Sequence, residues 1–374
     1  MKFAEVIGQE NVKRRLIQSV QEGFIPHSRL ITGMEGVGAL PLALAYARYL
    51  MCRNRKETDA CGSCPSCVKF NKYAHPDLHF VFPIIKNDKK KKEVCDDYLT
   101  EWRQQLSEQP YFGLSQWFQR IDAENAQGMI YAKESNEIIR KLMLKTYEAE
   151  YKVMIIWLPE KMHESCANKL LKIIEEPPDN TVFLLVSEQP DQIIGTIQSR
   201  SQRLSIPPIE PEILSHVLAG KYTLNPDDLQ FAVHLAGGSY IRAVAVIESA
   251  SEQELFFDLF VAIMRNSWRR DVKNMKVKAE FFASLGRERQ KAFFAYCQRI
   301  LRENYIYQLQ QPEINYLNRA ESDFSKNFSP YIHERNIIDF MDELALAERH
   351  VEQNVNPRLV FFDLSMKIAV LLKR

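Results

Sequence analysis

Gly33-Met34-Glu35-Gly36-Val37-Gly38-Ala39-Leu40 is the stretch that decides the fold of this chain. The phosphate-binding pattern G-x-x-x-x-G-K-[ST] places a glycine loop between a strand and a helix. Its Lys reaches the β/γ-phosphates and its Ser/Thr hydroxyl holds Mg²⁺. Here Gly33, Gly36 and Gly38 keep the frame, while the apolar Ala39 and Leu40 stand at both working positions. Three glycines alone are a weak signal, so the flanks must decide. Leu30-Ile31-Thr32 is an apolar run feeding the loop, and Leu42 to Ala47 reads as a helix. Pro41 suits its first turn, where the missing N–H is harmless. The loop therefore reads as a degenerate nucleotide cradle, and nucleotide binding is not expected there.

Working outward, Gln9 to Glu22 reads as a helix, with Val12, Leu16 and Val20 recurring every four residues and Gly23 as a stop. Val153 to Leu158 and Thr181 to Val186 are unbroken apolar runs, the pattern of parallel strands covered on both faces. Between them Glu164 to Glu176 is helical and is broken by Pro177-Pro178. Strands alternating with helices imply a parallel α/β sheet with flanking helices. Residues of about 85–125 interrupt this order, and their aromatic-rich helical stretch (Trp102, Tyr111, Phe112, Trp117, Phe118) reads as an insertion without an assigned role. Lys89-Lys90-Lys91-Lys92 inside it reads as a solvated loop, with phosphate contact as the alternative. Beyond Pro207-Pro208 the strand signals stop. Glu210 to Glu248 reads as a small helical unit, and the chain from Glu252 is nearly all helix, with an apolar stripe at Phe256, Leu259, Phe260 and Ile263.

The length of 374 residues allows two or three domains. A 46% apolar and 26% charged composition is that of a globular protein. With a net charge of +1 no global field draws the chain onto nucleic acid, so any DNA contact must be local or shared with partners. The opening MKFAEVIGQENVKRRL has no apolar core of signal-peptide length, and no run approaches a membrane span. A soluble, cytoplasmic protein is expected.

Four of the seven cysteines, Cys52, Cys61, Cys64 and Cys67, form C-x₈-C-x₂-C-x₂-C. Thiolates two residues apart can grip one ion from a tight turn, which Gly62 and Pro65 favour. Four thiolates would make a closed, structural zinc site. The paired CxxC spacing fixes Cys61, Cys64 and Cys67; Cys52 is the expected fourth ligand, and His75 or His79 could substitute for it. A redox CxxC is the rival, and the overlapping three-cysteine run argues for metal. Cys95, Cys166 and Cys297 are isolated packing residues.

An ATPase of this kind also needs an acidic pair closing a second buried strand. Trp157-Leu158 occupies that place, and Glu160 comes two or more positions late. Two stations are thus blank. A third is filled: in Ser199-Arg200-Ser201, Arg200 can be an ordinary surface arginine in a salt bridge or an arginine finger that reaches a neighbour's γ-phosphate.

With these stations placed, the chain resembles the delta-prime family of bacterial DNA polymerase III clamp-loader subunits. The resemblance runs through Val6-Ile7-Gly8-Gln9-Glu10, Pro26-His27-Ser28-Arg29-Leu30, the cysteine quartet and His75-Pro76-Asp77. Most specific is Ala167-Asn168-Lys169-Leu170-Leu171-Lys172-Ile173-Ile174-Glu175-Glu176-Pro177-Pro178. Ile194 to Ser201 is similar to the family's SRC segment with Ser201 for Cys, and Asn354-Val355-Asn356-Pro357-Arg358-Leu359 to its closing motif. It implies an AAA+ P-loop-type domain over 1–208, with a zinc module at 52–67 and the insertion at about 85–125. A helical lid over 209–250 and an all-α C-terminal collar over 251–374 would follow. It further implies a subunit without ATP that sits in a hetero-pentamer with motor and clamp-opening subunits. That assembly would serve the sliding clamp and primer-template DNA. Arg200 becomes the expected trans-acting finger, and Arg242 in Gly238-Ser239-Tyr240-Ile241-Arg242 a candidate sensor of nucleotide.

Two other classes stay open. A divergent active ATPase could hold Mg²⁺ on Glu160 or Glu164 and reach phosphate with Lys172. It would show Mg²⁺-dependent nucleotide affinity in the isolated chain. A stand-alone zinc-containing DNA-binding protein would bind primed DNA by itself in a salt-sensitive way.

Overall fold

The computed structural model describes residues 1–86, 92–123, 128–248, 250–310 and 312–373. It divides into two compact units: Met1–Tyr222 with Ala236–Val244, and Thr223–Leu235 with Ala245–Arg374.

The first unit is built on five parallel strands, β1 (Ser28–Thr32), β2 (Leu78–Val81), β3 (Lys152–Trp157), β4 (Thr181–Ser187) and β5 (Gln202–Ser205), in the order β2-β3-β4-β1-β5. This is the parallel sheet expected of an AAA+ module. Every residue of β1, β3 and β4 is buried, which is why β3 and β4 carry continuous apolar runs rather than alternating ones. The edge strand β5 exposes Gln202, Arg203 and Ser205 and buries only Leu204, so polar side chains guard an open edge. Helix α1 (Glu10–Gln21) precedes the strands; α2 (Ala39–Met51), α3 (Pro65–Asn71), α4 (Leu99–Glu108), α5 (Leu114–Arg120), α6 (Glu134–Met143), α7 (Glu164–Glu175) and α8 (Gly195–Gln198) lie between them, and α9 (Pro211–Lys221) follows. α2 is buried along its whole length, as its run of Ala and Leu demands.

One acidic side chain positions the entry to β3. Asp77 is 2% exposed, and its carboxylate accepts the N–H groups of Tyr147 (2.6 Å), Glu148 (3.0 Å) and Ala149 (2.9 Å). Burial alone would raise its pKa, but these three amides and His75 outweigh burial and hold it below the ordinary value of 3.8. A lowered folded pKa means that this stabilisation is present above pH 3.8 and is lost as pH falls through the folded value. Asp77→Ala leaves three amides without their acceptor and is expected to lower stability by about 3 kcal/mol or more. Urea unfolding followed by tryptophan fluorescence at pH 7 checks this, and the deficit should shrink as pH falls below 3.8.

The insertion acquires a structural reason. Trp102 on α4, Trp117 on α5 and Phe112 between them are buried with Phe82, just after β2, and with Trp157 at the end of β3. Phe82 stacks on Trp102 at 4.1 Å, and Trp102 meets Trp117 at 5.0 Å and Trp157 at 5.3 Å. The Trp117 Nε1–H donates to Pro83 O at 2.8 Å, so even the indole polar atom is satisfied. Lys89, Lys90 and Lys91 lie outside the described residues. Lys92 pairs with Glu101 at 2.6 Å and lies 4.3 Å from the Tyr98 ring centroid.

Helices α10 (Pro226–Ala236) and α11 (Tyr240–Glu248) run across the division between the units. The second unit continues with α12 (Ala250–Arg269), α13 (Val272–Ser284), α14 (Arg287–Gln308), α15 (Arg319–Phe328), α16 (Ile337–Glu352) and α17 (Pro357–Leu371). The expected stripe of Phe256, Leu259, Phe260 and Ile263 is buried in its core, where Phe282 stacks on Phe361 at 4.6 Å. Asn356 caps α17 by accepting the Arg358 N–H at 3.0 Å, with Pro357 at the first helical position. That accounts locally for the Asn-Pro-Arg sequence. No described helix is long and apolar enough to cross a membrane.

Candidate functional site

The chain between β1 and α2 makes a tight glycine turn. Gly36 and Gly38 take φ of +83° and +96°. A Cβ at Gly36 would lie 2.2 Å from Ser239 Oγ, and one at Gly38 would lie 3.0 Å from Tyr111 Oη, so sterics and backbone both require glycine. The Gly33 N–H donates to Ser187 O, at the end of β4, at 3.1 Å. Gln9 Nε2 ties Val37 O (3.3 Å) to Pro207 O (2.7 Å). Ala39 and Leu40 open α2 and are 8% and 5% exposed. Among the described residues, the amides of Gly36, Gly38, Ala39 and Leu40 have no acceptor. The glycine turn thus leads its unpartnered amides into the start of α2, where the side chains of Ala39 and Leu40 are alkyl groups.

Trp157-Leu158, at the end of β3, is apolar for a packing reason. Trp157 is 2% exposed and its ring lies 5.1 Å from Phe112 and 5.3 Å from Trp102, so the side chain belongs to the core that seats the insertion. Leu158 is equally buried. Glu160 is engaged in fastening the exit of β4: its Oε1 accepts the N–H groups of Glu188 (2.9 Å) and Gln189 (3.0 Å). Glu164 and Lys172 are exposed on α7.

Glu188 carries no signal in the sequence beyond following β4. Burial raises its pKa to about 8, with Glu35 of the glycine loop and Glu160 adding like charge and Lys161 opposing. A carboxyl with a raised folded pKa contributes full stability below its unfolded value of 4.5 and loses it as pH climbs through about 8. Glu188→Gln keeps the shape without the charge. We expect it to be more stable than the native chain by about 2 kcal/mol at pH 9, allowing for solvent screening, and equal to it at pH 4. Thermal melts across that range provide the check.

Arg200 lies in the turn between α8 and β5. Its Nε donates to Glu175 Oε2 at 2.8 Å and its Nη1 to Thr196 O at 3.0 Å. The salt-bridge reading is thus realised within the chain. The pair is solvated, with side chains 31% and 54% exposed, and a bond of that kind contributes only about 0–1 kcal/mol. Ser201, standing for the family's Cys, donates to Ile197 O at 3.0 Å and meets Ser28 Oγ of β1 at 2.8 Å. Arg242 is exposed on α11. Ser239, Tyr240 and Ile241 of that segment meet the glycine loop, and the Tyr240 N–H donates to Gly36 O at 3.0 Å.

The sulfurs of Cys52, Cys61, Cys64 and Cys67 all lie within 4.8 Å of one another. The separations of 3.5 Å (Cys52–Cys61), 3.9 Å (Cys52–Cys64) and 3.9 Å (Cys61–Cys67) bracket the edge of about 3.8 Å that Zn–S bonds of about 2.3 Å give a tetrahedron. The amides of Cys61 and Cys64 each donate to a cluster sulfur at 3.3 Å, which stabilises thiolate charge. These residues fit a tetrahedral cation, and the fourth sulfur is that of Cys52. His75 is committed elsewhere, with Nδ1 accepting the Asp77 N–H at 3.1 Å and Nε2 lying 3.1 Å from Glu148 Oε1. His79 lies on β2, where burial and then Lys141 and Lys152 hold its pKa down at about 4. Cys95, Cys166 and Cys297 are buried packing residues.

A family model described as "DNA polymerase III, delta subunit" matches residues 8–210, more than half of the chain. DNA polymerase III subunit delta' of Escherichia coli K12 is 24% identical over 241 residues, covering 64% of this chain and 60% of that protein. The subunit of the same name from Bacillus subtilis 168 is 27% identical over 207 residues, covering 55% of this chain and 50% of that protein. DNA polymerase III subunit gamma/tau of Mycobacterium tuberculosis H37Rv is 25% identical over 217 residues, 58% of this chain and 30% of that protein. The matched region thus spans 50–60% of the length of these two delta' relatives. The chain belongs to the DNA polymerase III delta subunit family, on its delta-prime branch.

Proposed function

We propose that this chain is a component of a sliding-clamp loader of DNA polymerase III that neither binds nor hydrolyses ATP itself. The observation that carries this reading is the glycine loop, which keeps its turn and its N-terminal helix yet buries Ala39 and Leu40 where the phosphate-binding Lys and the Mg²⁺-binding hydroxyl belong. The core role of Trp157 supports it at the metal station. Phosphoryl transfer depends on positioning and charge, so either loss alone removes orders of magnitude in rate.

In this reading residues 1–208 are an ATPase-like domain, 209–250 a helical lid and 251–374 a collar that joins the other subunits. The partners are motor and clamp-opening subunits in a hetero-pentamer, with the clamp and primer-template DNA as its cargo. Cys52, Cys61, Cys64 and Cys67 hold one structural zinc. Arg200 exchanges Glu175 for the γ-phosphate in the neighbouring motor, an exchange made cheap by the solvated state of that pair. The motor's cycle then opens the clamp, and DNA is held mainly through phosphate contacts shared among the subunits.

Co-expression with the motor and clamp-opening subunits of the same organism tests the assignment. We expect a stoichiometric complex that survives gel filtration and that places the clamp on primed DNA. Failure to co-purify would remove the assignment.

A further inference from the structure

We propose that Tyr111, delivered by the insertion, is a built-in occupant of the pocket above the glycine loop and closes it to nucleotides. This rests on the reading above that the chain works without ATP, and it gives the insertion a task that the sequence left unassigned.

The phenol is 6% exposed, and its Oη accepts the Ile7 N–H at 2.8 Å. The same oxygen and Cε1 lie 3.0 and 3.3 Å from where a Cβ of Gly38 would stand, so the ring rests directly on the start of α2. That helix start presents the unpartnered amides of Gly38, Ala39 and Leu40, the place where a phosphate group would bind. Tyr240 packs edge-on against Tyr111 at 5.1 Å while its own N–H holds Gly36 O. One ring therefore bridges the N-terminal segment, the glycine loop and α11.

The support beneath Tyr111 is rigid. Phe112 is locked against Trp102 at 5.5 Å and Trp157 at 5.1 Å. Glu35 of the loop lies against Gly113, where a Cβ would come within 1.7 Å of its Oε1, so Gly113 lets the insertion approach this closely. The plug and the apolar metal station are one packing unit: the same Trp157 that replaces a carboxylate anchors the segment that covers the loop. A bound nucleotide phosphate would have to displace the ring and break the bond to Ile7.

The test uses the full chain and two probes, a fluorescent Mg²⁺-ADP analogue and inorganic pyrophosphate. Four proteins are compared: native, Tyr111→Ala, Ala39→Lys with Leu40→Thr, and that pair with Tyr111→Ala added. Thermal melts confirm that each is folded. Tyr111→Phe, which keeps the ring and loses only the bond to Ile7, serves as the closed control. We expect no measurable binding to the native chain or to the restored loop with Tyr111 in place. Affinity should rise at least tenfold when Tyr111→Ala joins the restored loop, and pyrophosphate should bind measurably to Tyr111→Ala alone. Equal affinity with and without Tyr111, in either loop background, overturns the plug and leaves the ATP-free reading standing. Micromolar Mg²⁺-dependent binding to the native chain overturns both. Should the restored loop fail to fold, the pyrophosphate comparison between native and Tyr111→Ala decides by itself.

Discussion

Chelation of the metal, or replacement of Cys64 by Ser, is expected to strip one equivalent of zinc from the chain and to lower its melting temperature by roughly 10 °C or more. The size follows from how the cysteines are tied into the first unit. Cys52 follows the end of α2, Cys64 stands at the N-cap of α3 and Cys67 lies within α3, so an ion held by these sulfurs would join two helices across the loop between them. Cys52, Cys67, Ala60 and Phe70 are nearly inaccessible, so the loop cannot loosen without exposing the flank of α2. Structural zinc binding in small modules is worth about 10–16 kcal/mol in apparent terms. Part of this is recovered by the thiols when the ion leaves, and loss of a site usually appears as more than about 4 kcal/mol of stability. At about 2–4 °C per kcal/mol, this gives the expected shift. Elemental analysis and melts with and without chelator make the measurement. A zinc-free preparation with an unchanged melting temperature would contradict the site, as would Cys64→Ser that still binds one equivalent.

What the sequence displayed, and what it hid, has physical causes. Val153–Trp157 and Thr181–Val186 announce themselves because strands covered on both faces must be apolar throughout, and both fall in fully buried strands. β2 and β5 gave no such signal: each has four residues, and His79 in one and Gln202-Arg203 in the other give them the look of loops. The glycine loop was legible because φ near +90° admits little else. Its occupant was not. Tyr111 meets Ile7 and Tyr240 across separations of 104 residues in one direction and 129 in the other, and no local spacing encodes such a contact.

Trp157 shows how a local blank can have a distant cause. From the sequence it marks a lost carboxylate; in the fold it is a core residue whose partners, Trp102 and Phe112, come from the insertion. The choice among Cys52, His75 and His79 was likewise undecidable from spacing. In the fold the sulfurs of Cys52, Cys61, Cys64 and Cys67 lie within 4.8 Å of one another, while Asp77 and Glu148 engage His75. Glu188 escaped notice because an isolated Glu after a strand is common, and only its burial in the fold, beside Glu35 and Glu160, makes it unusual.

Arg200 carries the central claim, that a subunit without ATP helps its neighbour use it. The guanidinium stands in a turn before the edge strand β5, and its pairing with Glu175 is solvent-exposed. Removing a side chain in such a pair should barely alter folding, since exposed ion pairs contribute about 0–1 kcal/mol. An arginine supplied in trans to a γ-phosphate contributes about 10³–10⁵ in turnover at that site. The two roles therefore separate by orders of magnitude in one substitution. Glu175→Ala provides the internal control, because it releases Arg200 without removing it and should leave hydrolysis intact. The decisive measurement is single-turnover, DNA-stimulated ATP hydrolysis by the loader reconstituted with Arg200→Ala. The expected result is normal assembly with the hydrolysis at one motor site slowed about a thousandfold or more, while full hydrolysis at every motor site would contradict the arginine finger.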